Sequence, residues 1–399
     1  MGSNAQRQLE TLPLSPAPVW AATPELSVPA YRAAFDRGTA FTIGVEEELM
    51  LVRPDTLELA PVVGEVLPEL DGDDRFVAEL RPAQIEIVSR VCLTPADACR
   101  ELGAARRDLV AATGDRWRLL ACGTHPFSTS WGEITQGERY KQIADEYTWA
   151  ASRSLACGLH IHVAVGSADR ALPVYNALRS YLPELAALSS NSPFFEGRDT
   201  GMSSIRAKLN EAFPRSGVPP LFRNWEHLVE FTAWGRRGGL FPDATHFWWE
   251  LRLHPRHGTI EFRVSDTQTR LEDTAALAAV TQALVVSLAE RFDAGEELPA
   301  HETTKVSENA WRAYRHGVQG WLVDLDTGEA QPTRERLAAL LDALEPYADR
   351  YDGLEHLTGA RALVAGNGAD RQRYVRRRSD VRELTRWLVD ETESSALDG

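Results

Sequence analysis

Five segments of this chain alternate apolar residues with Glu, His, Arg or Gln, and no other feature constrains the fold as much. In a strand, successive side chains point to opposite faces. FTIGVEEELMLV (41–52) therefore puts Phe41, Ile43, Val45, Leu49 and Leu51 on one face, with Glu46 and Glu48 on the other. CGLHIHVAV (157–165) sorts Leu159, Ile161, Val163 and Val165 against His160 and His162. In QIEIVS, Gln84 and Glu86 lie together. FWWELRLHP opposes Glu250, Arg252 and His254 to Phe247, Trp249, Leu251 and Leu253, and GTIEFRVSD opposes Glu261 and Arg263 to Ile260, Phe262 and Val264. Each strand offers one apolar face to helices and one face dense in carboxylate, imidazole and guanidinium. The expected fold class is α+β: a sheet curved around an active site and covered by helices.

One such strand alone would mean only a solvated sheet face. A solvated face carries Lys, Thr and Ser, however, and these carry Glu, His and Arg without Lys. Carboxylates packed this closely raise one another's pKa unless cations sit among them, so the cluster implies metal. Several carboxylates with at most two imidazoles suit Mg²⁺ or Mn²⁺, and the lack of a thiolate set argues against structural zinc. Two alternatives stand beside this: a metal-dependent hydrolase using the HxH strand of His160 and His162, and core histidines satisfied by backbone carbonyls. The hydrolase lacks its usual context. Gly166, Ser167 and Ala168 stand where a cupin-type site would place a Glu, and no repeated βα pattern surrounds the motif. Arginines beside carboxylate-held metal suggest phosphoryl chemistry. Neither GxxxxGK[ST] nor GxGxxG occurs, and GNG (366–368) is too short to count, so metals and arginines would have to hold a nucleotide.

FVAEL and QIEIVS read as strand pieces interrupted at Arg81 and Pro82. Helical spacing is expected from the cap Thr94 to Gly114, over 136–154, from Ala168 to about Ser189, and through most of the last 130 residues or so. SNSPFFEGRDTGMSSIRAKLNEAFPRSGVPP holds too many turn residues for one regular element and reads as a functional loop. Together these make one domain over residues 39–393, a flexible Pro- and Ala-rich extension over 1–38 and a tail over 394–399. Glu47 falls on the apolar face of its strand and reads as a paired structural carboxylate. Asn309 and Arg312 share a helix face and read as structural, and RYVRRRSDVRE reads as a solvated helix face. The four cysteines form no CxxC pair and read as reduced core residues. A net charge of −15 argues against a broad nucleic-acid surface. No apolar run approaches the roughly 20 residues of a membrane span, and no export signal is visible, so a cytoplasmic protein without membrane partners is expected.

With IGVEEELMLV, AELRPAQIEIVS, GTHPF, CGLHIHVAV, NSPFFEGRDTGMSSIR with FPRSGVPP, WWELRLHP, GTIEFRVSD and ENAWRAYRHG in this order, the chain resembles the glutamate–cysteine ligase type 2 family. That family of bacterial carboxylate–amine ligases is related in fold to glutamine synthetase, and the likeness runs from about residue 40 to about residue 393. It implies a mainly antiparallel sheet forming a funnel-shaped active site, with Mg²⁺ between ATP and an acid substrate. Carried over by motif, Glu46, Glu48, Glu79, Glu86, His160 and Glu261 are the metal ligands. Arg263 would contact the transferring phosphoryl group, with His162 and Gln84 also on the nucleotide's side. Arg252 and Arg206 are candidates for a substrate carboxylate or phosphate, Arg206 having a helix-surface ion pair as its alternative. The reaction implied is phosphorylation of the γ-carboxylate of L-glutamate by ATP, then displacement of phosphate by the amine of L-cysteine. A ligase for another acid or amine would carry the same motifs. The family also suggests a homodimer.

Overall fold

The structure, a computed structural model, describes residues 27–397. Seven strands form one sheet: β1 (Ile43–Val52), β2 (Phe76–Ala78), β3 (Gln84–Val88), β4 (Arg118–Leu120), β5 (Gly158–Ala164), β6 (Leu251–His254) and β7 (Thr259–Asp266). Their order is β6-β7-β5-β1-β3-β2, with β4 also on β1, and every pairing is antiparallel. β1 is the longest strand and the centre. Its first half pairs with β5 through Glu47↔Leu159, and β4 takes over that edge at Met50↔Leu120.

The expected α+β class is what the chain adopts. Helices cover the apolar face, where Ile43, Val45, Leu49, Leu51, Ile85, Ile87, Leu159, Ile161, Val163, Ile260 and Phe262 are buried. α1 is Val28–Phe35, α2 Pro95–Thr113, α3 Glu138–Arg153, α4 Ala168–Leu178, α5 Leu182–Leu188, α6 Trp225–Arg237, α7 Leu271–Asp293, α8 Thr303–His316, α9 Thr333–Ala348, α10 Leu354–Ala365, α11 Gly368–Arg376 and α12 Val381–Leu397. α7 lies against β5, α2, α4, α9 and α10. By length and composition it could cross a bilayer, but its most apolar stretch is 78% buried inside the molecule, as a core helix is. α2 starts where its cap predicts: Thr94 Oγ1 accepts from Asp97 N at 3.1 Å, and Asp97 Oδ2 accepts from Thr94 N at 3.3 Å.

Several expectations are corrected. Residues 27–38 are no flexible extension. Ser27 caps α1, Pro29 suits its first turn, and Tyr31 and Phe35, one turn apart, bury their rings 6.2 and 5.3 Å from Trp225. The rest of the expected extension, 1–26, lies outside the described residues. At the other end the tail is helical as far as Leu397, with Ala396 buried and its carbonyl accepting from Arg107 Nη1 at 2.9 Å. The single helix expected over 168–189 breaks into α4 and α5 at a 3₁₀ turn (Arg179–Tyr181), where Pro183 opens the second piece. FWWELRLHP is two strands: Trp248–Trp249 pairs in parallel with Ser216–Gly217, and β6 begins after Glu250.

Candidate active site

Strand register places the acids. Glu46 lies opposite His160 and Glu48 opposite Glu86; His162 lies opposite Glu261, which lies opposite Arg252. Glu79 follows β2 directly. Farther along the same face Met50, Val52, Leu120, Cys122 and Cys157 form an apolar floor with Leu384, Leu388 and Val389 of α12. The polar stretch therefore ends as a pit, a cavity of about 250 Å³ whose wall includes Glu46, Glu48, Glu79, Glu86, His160, Arg206, Glu250 and Arg263. Gly158 is needed at its base. A Cβ there would stand 2.2 Å from Arg206 Nη2 and 2.9 Å from His160 Nε2.

Three overlapping sets of side chains could each hold a cation: Glu46, His162 and Glu261; Glu46, Glu86 and His160; Glu48, Glu79 and Glu86. His160 Nδ1 lies 3.1 Å from Glu46 Oε2, and a proton there leaves Nε2 a free lone pair, as in a histidine ligand. His162 Nδ1 meets Thr259 Oγ1 at 2.8 Å. His160 Nε2 is buried without a hydrogen-bond partner among the described residues, whereas His162 Nε2 lies 3.2 Å from Glu46 Oε1. Burial lowers the His160 pKa to about 4, with Arg263 adding to it; for His162 burial is outweighed by Glu261 and Glu46, which raise it.

Burial also works against the charged forms of Glu46 and Glu261, but the imidazoles for Glu46, and Arg252 and Arg263 for Glu261, hold them well below the carboxylate range. At the other acids the cations are outweighed: Arg206 and Arg263 act on Glu48, and Arg263 on Glu86, without offsetting burial and the neighbouring carboxylates. Burial and Glu79 lift Glu48 to about 7, and burial with Glu79, Glu46 and Glu48 pushes Glu86 well up. Glu48 Oε2 accepts from Gly158 N at 2.5 Å. At one end the pit carries paired negative charge, and at the other negative charge short of a counter-ion.

The arginines divide the same way. Arg252 grips Glu261 with two bonds of 2.6 and 2.9 Å and donates Nη1 to the Thr245 and Phe247 carbonyls, so its fork is engaged by protein rather than turned to a substrate. Arg263 donates Nη1 to Glu261 Oε1 at 2.5 Å and lines the pit. Arg206 opens a short helix, Arg206–Asn210, but does not lie on its surface. It is 4% exposed, donates Nη2 to the Arg263 carbonyl at 3.0 Å, and its buried Nε has no partner among the described residues. Asp266 anchors the loop that leads to it by accepting from Asn191 N and from the hydroxyls of Ser192 and Ser204 at 2.7–2.8 Å. Gln84 lines the pit, yet its amide donates to the Ala156 carbonyl and Cys157 Sγ.

Glu47 lies on the opposite face, fully buried, with Arg106 Nε on Oε2 at 2.7 Å. Asn309 bonds the backbone of Val323, and Arg312 stacks 3.9 Å over Trp321. Sequence reasoning missed Tyr140, Phe213 and Trp248 in the wall, and gave Glu250 no role. Tyr140 and Phe213 lie outside the alternating strands, so periodicity could not reveal them.

Comparison with known proteins gives this architecture its class, ATP-dependent ligase. The chain belongs to the glutamate–cysteine ligase family 2, whose profile matches residues 42–391. A relative from Rubrobacter xylanophilus, provisionally named glutamate–cysteine ligase 2-1, is 37% identical over 89% of this chain and 95% of its own. One from Sorangium cellulosum, provisionally named glutamate–cysteine ligase 2, is 35% identical over 84% of this chain and 91% of its own. Among solved structures, a glutamate–cysteine ligase from Francisella tularensis in complex with AMP matches with a TM-score of 0.65 at 12% identity, over 90% of this chain and 88% of that one. A bifunctional glutathione synthetase from Pasteurella multocida matches with 0.63 at 13% identity, over 92% of this chain and 54% of that one. At such identities the likeness is one of fold. Membership in a ligase family displaces the hydrolase alternative.

Proposed function

We propose that this enzyme joins the γ-carboxylate of L-glutamate to the amine of L-cysteine with ATP, through a γ-glutamyl phosphate, releasing ADP and phosphate. The observation that carries the reading is the convergence of Glu46, Glu48, Glu79, Glu86 and His160 beside Arg263 in the wall of one pit, with Glu261 buried behind it next to Glu46 and Arg263. The names of the relatives and the AMP held by the Francisella ligase support the choice of substrates and nucleotide.

The donor set fits a hard divalent cation: it is mostly oxygen, His160 Nε2 is buried with no hydrogen-bond partner among the described residues, and Arg206 and Arg263 do not offset the burial and crowding of carboxylates that raise Glu48 and Glu86. Those six residues would hold Mg²⁺ or Mn²⁺, which when bound would neutralise phosphoryl oxygens. The chain's own residues do the rest. A carboxylate is a poor acylating agent, so its oxygen must first become a leaving group. Arg263, fixed by Glu261, faces the transferring phosphoryl group. Arg206, with its unpartnered Nε, orients an acid or phosphate oxygen. Arg252 keeps Glu261 ionised. The enclosing wall keeps water from the acyl phosphate.

The test measures ADP and phosphate release with ATP, Mg²⁺ and glutamate, with and without a panel of amines. Turnover needing both glutamate and cysteine is expected, and turnover with another acid or amine would reassign the substrates within the same mechanism. Zinc-supported hydrolysis without ATP would overturn the reading. Glu48→Gln and Arg263→Ala should each lower kcat by about 10²-fold or more, with thermal unfolding within a few degrees of wild type.

A further inference from the structure

Glu250 stands in the wall of the pit and belongs to none of the three cation sets. It occupies the break before β6, where its N–H donates to the Gly217 carbonyl at 3.0 Å and its carbonyl accepts from Arg263 N at 2.8 Å. Those two bonds fix its backbone. The residue is 7% exposed, the Tyr314 hydroxyl of α8 bonds its Oε1, and its Oε2 is buried without a donor among the described residues. The nearby cations make no bond to Glu250. Lys208 Nζ sits on Glu211 Oε1 at 2.5 Å, and Arg206 Nη2 on the Arg263 carbonyl. Burial accordingly lifts the Glu250 pKa to about 7 despite the Tyr314 bond. A buried carboxyl oxygen with no cation, in the wall of a substrate cavity, is a receptor for a charge that a ligand brings.

We propose that Glu250 receives the ammonium group of the incoming amine and takes its proton. The inference rests on the ligase reading above and names the group that makes the amine a nucleophile. An ammonium nitrogen has no lone pair. One N–H proton passes to the Glu250 carboxylate, and the freed pair forms the C–N bond at the acyl carbon. The bond from that carbon to the phosphate oxygen breaks, its electron pair leaving on phosphate. The second N–H proton departs with the phosphate, and Glu250 returns its proton to water. Tyr314 is the positioning residue, holding Oε1 so that Oε2 faces the amine.

The test uses two nucleophiles. Hydroxylamine is mostly uncharged at pH 7 and traps an acyl phosphate as hydroxamate without a base, whereas cysteine arrives as an ammonium ion. In Glu250→Gln the ratio of cysteine ligation to hydroxamate formation, each as kcat/KM, should fall at least tenfold, with KM for glutamate unchanged. Tyr314→Phe removes only a hydroxyl and should lower the ratio in the same direction by less, which keeps the test open if the Gln variant folds poorly. An unchanged ratio, or equal loss of both reactions, overturns the assignment; equal loss would place Glu250 with the acid instead. Wild-type protein that forms no hydroxamate from ATP and glutamate overturns the ligase reading itself, an outcome distinct from the other two.

Discussion

Glu47 lies between Glu46 and Glu48 in sequence, and the alternation of one strand separates their roles. Two of the three carboxylates reach the pit, while the third is buried with Arg106, whose remaining donors reach the Thr269 and Gln268 carbonyls at 3.0 and 2.9 Å. Glu47→Gln leaves the Arg106 charge buried and unpaired, so it should lower unfolding free energy by about 3–5 kcal/mol in urea titrations while folded molecules keep their activity. His125 makes a second residue-scale case. Its Nε2–H donates to the Leu57 carbonyl at 2.8 Å and its Nδ1 accepts from the Phe127 and Ser128 amides, so the neutral ring satisfies both atoms. Burial lowers its pKa to about 4, with the Arg382 guanidinium, 4.6 Å over the Phe127 ring, adding to it. An unfolded histidine takes up its proton near 6.5, before the folded one does. Stability is therefore unaffected above about 6.5, is lost as pH falls toward 4, and levels off below; the loss is on the order of 3 kcal/mol. Chemical denaturation from pH 7 to 4 should show wild type falling more steeply than His125→Gln, and parallel curves would remove the effect.

At the scale of elements, strands were legible and their interruptions were not. Period-two alternation sorts residues onto faces whatever their partners, so the faces carrying Glu46, His160 and Glu261 could be read before any pairing was known. Pairing itself is non-local. That β4 replaces β5 along β1, or that Glu250 falls in a gap between strands, depends on neighbours far along the chain. Arg206 illustrates this further: the loop before its short helix is held by Asp266, roughly sixty positions away, and nothing local distinguishes it from a helix-surface arginine. α1 was missed because Pro and Ala dominate its surroundings, while its docking rests on two aromatic side chains. A flexible extension would tolerate Phe35→Ala at no cost. The docked helix predicts a loss of about 3–5 kcal/mol, since Phe35 is fully buried against Trp225. Urea unfolding of that single variant separates the two cases.

At the scale of the whole molecule, the sheet gathers acids from positions 46, 48, 79, 86 and 261 into one place, and folding must therefore bring like charges together. Arg252 and Arg263 form ion pairs with Glu261, but among the described residues no arginine pairs directly with Glu48, Glu79 or Glu86, where Arg206 and Arg263 act only at longer range. In the unfolded chain these groups are far apart and hydrated. The metal-free fold thus carries a repulsion that binding a divalent cation would relieve, and a ligand that binds only the folded state stabilises it by RT ln(1 + [L]/Kd), about 2.7 kcal/mol at 100 times Kd. Added Mg²⁺ or Mn²⁺ should raise Tm by a few degrees in calorimetry without any nucleotide. Glu48→Gln with Glu86→Gln should do two things at once: raise the metal-free Tm, because the repulsion is gone, and abolish the response to metal, because the ligands are gone. Simple loss of packing would lower the metal-free Tm, and a general salt effect would persist in the double variant, so only the crossed pattern marks an acid cluster shaped for a cation. A wild-type Tm indifferent to both ions would leave the crowded carboxylates of this sheet without a stabilising partner, and the ligase chemistry proposed for the pit would lose its phosphoryl-neutralising charge.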